Sequence, residues 1–477
     1  MESKKIVSGI KWASIQLAID MAFRFSVKFI LAKLLLPEQF GLIGMCAVFI
    51  AFANSLSELG MSAALIQKEK HEDATVLYPT AFTTSLVSGI VFYLILAVAV
   101  APLASWFYGE PKLDYLIPIL SLSVLLRPMG IIPIVQFSRD LDFKKMANIY
   151  NLSSFIAGVV AIMGAFWGLG VWALVINVVL AASLPIPLLW RAIDWKPKFV
   201  IDRKHFKEIF SFGIYTSGTS IISSITYNID NLFIGKLLGA GPLGAYTLSF
   251  SLTEQIRQAI SGILNKVMYP VFGQKQKDIG LLKNYFLSIV RINAILIYPV
   301  MIFLVLFAEE VIVGIFGERW QQAVQPLQIL AVAMMVHLLV NSFASLLRGI
   351  GKPKVELYVM SGLTLFVLVP GMFIGIHLYG LIGAAVAILV HKVFLALVGL
   401  FVLAKYIHVS FKDIVDAIKF TFLSLVIAVA GVFLVSHFVF DHVVLKIVVF
   451  VLGYGIPIFF FERRYLEKLR GFIKKKR

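Results

Sequence analysis

The sequence predicts an all-α polytopic membrane protein with about fourteen transmembrane helices, and three observations carry that reading. Of 477 residues, 60% are hydrophobic and only 14% are charged, with a mean hydropathy of +0.92; a soluble domain carries about 25% charged residues. Apolar stretches of about 20 residues, the length that crosses a bilayer core, recur along the whole chain. Lys and Arg fall 31 to 5 in favour of the termini and even-numbered connections over the odd-numbered ones. That asymmetry places both termini in the cytoplasm and requires an even number of crossings.

In order, the apolar spans lie near 10–33, 41–66, 76–100, 115–136, 148–167, 171–190, 209–235, 243–271, 285–307, 323–347, 355–376, 380–403, 418–437 and 443–461. The N-terminal stretch lacks a small-residue cleavage site, so the first span is expected to stay as a membrane helix. That span carries Gln16, Asp20, Arg24 and Lys28 four residues apart, on one helical face. An ionised side chain at bilayer depth costs roughly 2.5–3.5 kcal/mol, so this face must look into protein or water. It is either a structural Asp20–Arg24 pair or the cationic wall of a translocation cavity.

Further along, the second span offers Asn54 and Glu58, and the fourth sets Pro118, Pro128 and Pro133 around Arg127. With Pro299 and Pro370, these prolines free backbone carbonyls and permit bending. Span seven carries Ser217, Ser220, Ser224, Tyr227, Asn228 and Asn231, with Asp230 adjacent. Span eight carries Glu254, Arg257, Ser261 and Asn265, with Lys266 beside the last. Arg291 lies in span nine, His337 and Asn341 in span ten, and Lys392 in span twelve. Small polar residues often only join helices. Ionised residues on the opening helices of both halves point instead to a water-filled groove between the halves that holds an anion.

The halves are related by a repeat. AKLLLPEQFGLI from Ala32 and GKLLGAGPLGAY from Gly235 align at an offset of 203 residues, pairing Lys33 with Lys236 and Gly41 with Gly244. Six helices per copy makes the repeat parallel, about an axis along the membrane normal. The expected division is therefore an N-terminal lobe at 1–192, a basic linker at 193–207 lying on anionic headgroups, a C-terminal lobe at 208–405, and an appended helix pair with a basic tail at 406–477.

Several chemistries are missing. The string from Gly349 to Pro353 lacks the first glycine and the terminal Ser or Thr of a P-loop, and neither H-E-x-x-H nor G-x-S-x-G occurs. Cys46 is the only cysteine, which excludes an intramolecular disulfide and a cysteine metal site. The net charge of +17 sits in the connections between spans, which argues for membrane topology and against nucleic acid.

Five strings, LSELGMSAALIQK, SRDLDFKKM, NIDNLFIGKLLGAGPLGAY, FGERWQQAVQPLQILA and YGLIGAAVA, occur in the order found in the polysaccharide transporter branch of the MOP exporter superfamily, the Wzx-type flippases. The chain resembles that family over nearly its whole length, most of all its colanic-acid-like and teichuronic-acid-like exporters. The resemblance implies a MATE-like V of two six-helix lobes plus a final helix pair, in the bacterial cytoplasmic membrane. It implies a non-enzymatic flippase carrying an undecaprenyl-diphosphate-linked oligosaccharide from the cytoplasmic to the outer leaflet by alternating access, for O-antigen, capsule, exopolysaccharide or teichuronic-acid-type polymers. Arg24, Lys28 and Arg257 lie on the helices where related flippases place cavity cations.

Residues expected to meet diphosphate or glycan are thus Arg24, Lys28, Arg257, Lys266, Arg291, Arg127, Gln16, Asn228, Asn231 and Asn341. Candidates for ion coupling are Asp20, Glu58, Asp230, Glu254 and His337. No cofactor or metal is expected beyond a Na+ or H+ gradient, and the partners are the lipid-linked glycan, membrane lipids and the polymerase or export machinery, with the chain as a monomer. The alternatives are a MATE-like small-molecule or cation antiporter, whose pore would favour carboxylates, and a membrane-embedded glycan polymerase or ligase, which usually needs a longer outward loop than any here.

Overall fold

In the computed structural model, residues 21–57, 61–62, 65, 74–140, 142–438 and 442–475 are described. Apart from turns and short connections they are helical, with no strand among them. The longer helices are α1 (residues 21–34), α2 (Pro37–Ser57), α3 (Val76–Tyr108), α4 (Leu113–Arg139), α5 (Phe143–Phe166), α6 (Val171–Arg191), α7 (Arg203–Leu238), α8 (Ala240–Gln274), α9 (Ile279–Leu306), α10 (Glu318–Gly349), α11 and α12 (353–379 and 381–407), α13 (Phe411–Phe438) and α14 (Val443–Lys475), with a short helix at Ala308–Phe316 between α9 and α10. Among the described residues, ten helical stretches are long and apolar enough to cross a membrane. One of the ten, Pro353–Ile407, holds two expected spans. The first, second, seventh and eighth expected spans contain residues or side chains outside the described set.

Local chemistry sets the boundaries. Asp142 caps α5 by accepting from the Lys145 amide at 3.1 Å, and Asp278 caps α9 by accepting from the Leu281 amide at 2.9 Å. Ser410 and Asp413 form a reciprocal capping box at the start of α13, at 2.7 and 3.2 Å. Between α11 and α12 the chain reverses at Gly380, whose φ of 56° and ψ of −132° no residue with a Cβ adopts readily. The prolines interrupt the regular α-helix of α4: helix gives way to a 3₁₀ turn over Arg127–Gly130, and Ser121 bonds back to the carbonyls of Ile117 and Pro118. Single π turns interrupt α3 at Ile95–Val100 and α11 at Thr364–Leu368.

Spatial contact groups the chain into two compact units. The first comprises Met1–Ser249, Ile312–Ala323 and Met372–Ala384. Within it α5 packs on α6 and α2 on α7. Trp320, fully buried, donates its indole N–H to the Ala32 carbonyl at 2.9 Å and meets Phe40 edge-on, while Arg319 bonds the Lys33 carbonyl. The FGERWQQAV string thus satisfies the last carbonyls of α1. In the same unit, a methyl group at Gly41 would collide with the Ala240 carbonyl, and one at Gly244 with the Pro37 carbonyl. Pro37 and Ala240 are themselves 203 residues apart, as are the two glycines. The two copies of the repeat therefore touch reciprocally, as two-fold partners do.

The second unit comprises Phe250–Val311, Val324–Gly371 and Ala385–Arg477. Here α9 packs against α10 and α13, and α13 against α14. Its core includes Phe272, Phe286, Phe343, Leu346, Leu347 and Leu403.

Candidate functional site: a buried polar seam in the second unit

The helical spacing of Glu254, Arg257, Ser261 and Asn265 puts four polar side chains on one face of α8, and the second unit buries that face. Arg257 Nε donates to Glu254 Oε2 at 2.8 Å and Nη2 to Oε1 at 2.5 Å, a two-pronged pair on a single helix. Gln258 Nε2 donates to the same Oε1 at 2.7 Å. Arg257 Nη1 reaches across to Asn341 Oδ1 on α10 at 2.6 Å. One turn further along α8, Ser261 donates to Asn293 of α9 at 3.1 Å, and Ser342 of α10 donates to Asn265 at 2.8 Å. All of these except Gln258 and Asn265 are at most 9% exposed. His337 lies one turn before Asn341 on α10, within electrostatic reach of Arg257 and of His391 and Lys392 on α12. His337 Nδ1, both ring nitrogens of His391, Asn293 Nδ2 and Asn341 Nδ2 are buried without a protein hydrogen-bond partner.

The seam thus joins four sequence-predicted residues, Glu254, Arg257, His337 and Asn341. Asn293 escaped the sequence reading; its signal is a lone amide two positions past Arg291 in an apolar run.

Other predicted residues lie elsewhere. Arg291 does not enter the seam: its Nε donates to Glu462 Oε1 at 3.0 Å and its Nη2 lies 2.6 Å from Oε2, tying α9 to α14. Glu462, read from sequence as part of the tail, has a side chain 0% exposed. In the first unit, Arg24 is exposed and donates to Ser154 of α5 at 3.0 Å, Lys28 is half-buried, and Arg127 is exposed where α4 narrows. Asp230 is buried and accepts from the Tyr246 hydroxyl at 2.6 Å and the Asn231 amide at 2.9 Å, clamping the α7–α8 turn. Asn228 bonds back to the Ser224 carbonyl at 2.8 Å, and Asn231 is half-buried. Gln16, Asp20, Glu58 and the Lys266 side chain lie outside the described residues.

A family model described as "Polysaccharide biosynthesis protein" matches residues 30–325, and the chain belongs to that family. It is 26% identical to the teichuronic acid biosynthesis protein TuaB of Bacillus subtilis, over 76% of this chain and 75% of that one. It is 25% identical to the succinoglycan biosynthesis transport protein ExoT of Rhizobium meliloti, over 74% and 71%. The fold matches that of the lipid II flippase MurJ in an inward closed conformation, with a TM-score of 0.73, 15% identity, and coverage of 95% of this chain and 99% of that one.

Proposed function

We propose that this chain is a flippase that carries undecaprenyl-diphosphate-linked oligosaccharide repeat units across the bacterial cytoplasmic membrane, from the cytoplasmic to the outer leaflet, for surface polysaccharide synthesis. The family and the names of the relatives support the glycan pathway, and the fold supports transport in place of synthesis. The observation that carries the chemistry is Arg257, a buried guanidinium in a seam of amides, hydroxyls and imidazoles. A diphosphate at the lipid–glycan junction brings about two negative charges, and a planar guanidinium in low dielectric matches their geometry with parallel N–H···O bonds. Amides and hydroxyls of the seam suit sugar hydroxyls, while the polyprenyl tail stays in lipid. Both termini face the cytoplasm, the chain acts as a monomer beside the polymerase, and an H+ or Na+ gradient drives the cycle.

The test is export of the native glycan in cells carrying Arg257→Ala or Arg257→Lys. Loss of one charge-assisted contact worth roughly 1.5–3 kcal/mol weakens loading by ten- to hundredfold. The Ala variant should stop export per folded molecule and accumulate lipid-linked repeat units on the inner leaflet, and Lys should restore part of it. Normal export by Arg257→Ala would remove Arg257 from the site.

A further inference from the structure

Arg291 and Glu462 join two helices, which is what a structural ion pair accomplishes. The Glu254–Arg257 ion pair itself joins no two helices: both residues belong to α8, three residues apart, and both charges are buried, while the reach to α10 is made by the separate bond of Arg257 Nη1 to Asn341. Such a pair loses hydration without tying one element to another. Its geometry has a different meaning. The carboxylate lies in the guanidinium fork with one oxygen on Nε and the other on Nη2, the same two-pronged arrangement a phosphate group adopts on arginine. Among the described residues, His337 on α10 lies within electrostatic reach of Arg257 and of His391 and Lys392 on α12, so the Glu254–Arg257 pair has imidazoles and a further cation beside it.

We propose that Glu254 is an internal stand-in for the cargo's diphosphate. It occupies the Arg257 fork while no cargo is bound, yields the fork to a phosphate group on loading, and competes for it again at release. This rests on the assignment of Arg257 to the diphosphate and extends it. Gln258, which already donates to Glu254 Oε1, gives the displaced carboxylate a partner on its own helix. Glu254 thereby positions Arg257 and holds the affinity low enough for the cargo to leave.

The experiment is calorimetric titration of the purified full-length protein in detergent with inorganic pyrophosphate. Glu254→Gln, which keeps the side chain's size and removes its charge, should bind at least tenfold more tightly than wild type. Arg257→Gln should bind at least tenfold more weakly, and the double variant should match Arg257→Gln. If Arg257→Gln weakens binding but Glu254→Gln does not tighten it, the stand-in is overturned and Arg257 keeps its role. If Arg257→Gln binds like wild type, the assignment of Arg257 itself fails. Where Glu254→Gln proves fragile, its melting temperature decides: pyrophosphate should raise it more than it raises that of wild type, and an equal or smaller rise overturns the proposal. A titration with phosphatidylglycerol added to the micelles separates two sources of phosphate. Competition at concentrations comparable to pyrophosphate would assign the fork to a bilayer headgroup and overturn the link to cargo; absence of competition supports it.

Discussion

Arg257 and Arg291 sit in adjacent helices, and each meets one carboxylate, yet removing them should have different consequences. Glu462 has a side chain 0% exposed, whereas that of Arg291 is 26% exposed. Arg291→Ala strands a buried carboxylate and is expected to cost about 3–5 kcal/mol. Glu462→Ala leaves a guanidinium that can extend toward the surface and should cost less. Thermal unfolding of the two variants in detergent checks that order, and export per folded molecule should be unchanged in both. In the sequence, the stripe Glu254, Arg257, Ser261, Asn265 was legible because helical periodicity places it on one face and burial of ionised groups is costly. Which cation meets which carboxylate was not legible: Glu462 lies 171 residues from Arg291, and no local spacing connects them.

The contact of α2 with α8 depends on two hydrogens. Gly41 lies against the Ala240 carbonyl and Gly244 against that of Pro37, so a methyl group at either must push the same two backbones apart. Gly41→Ala and Gly244→Ala should each destabilise by about 1–3 kcal/mol, as overpacking does. Because both act on one contact, the double variant should cost less than the sum, which melting curves of the four proteins would show. At the start of α13, Asp413 accepts from the Ser410 amide and meets Lys283 of α9 at 2.6 Å. Asp413→Ala loses the cap and an ion pair between half-exposed groups, with an expected cost of about 0.5–2 kcal/mol, most of it from the cap. A match in cost between Asp413→Ala and Lys283→Ala would show that the ion pair, not the cap, dominates. The ten long apolar helical stretches were readable from apolar runs, and the break in α4 from its prolines. The π turns in α3 and α11 were not, since Ile95–Val100 and Thr364–Leu368 are composed like the helix around them.

For the whole molecule, topology is the quantity the sequence states most directly. A reporter fused at Arg477 should read cytoplasmic and one inserted near Gly109 should read external, because basic residues separate 31 to 5 between the two sets of connections; the same side for both would require an even number of crossings between them and overturn the expected helix count. The repeat was visible as a weak echo of one turn, but its physical content was not, since sequence alignment pairs Gly41 with Gly244 and says nothing of their meeting. In evolutionary terms, a contact in which each copy presents the same glycine to the same position of the other is that of a homodimer. The present chain carries the geometry of such an interface inside one polypeptide. In an unfused dimer a single substitution would have struck both sides of the crossing at once, and selection could not have treated them separately. Within one polypeptide that constraint is absent, and the two sides of the crossing differ: where one copy has Pro37, the other has Ala240.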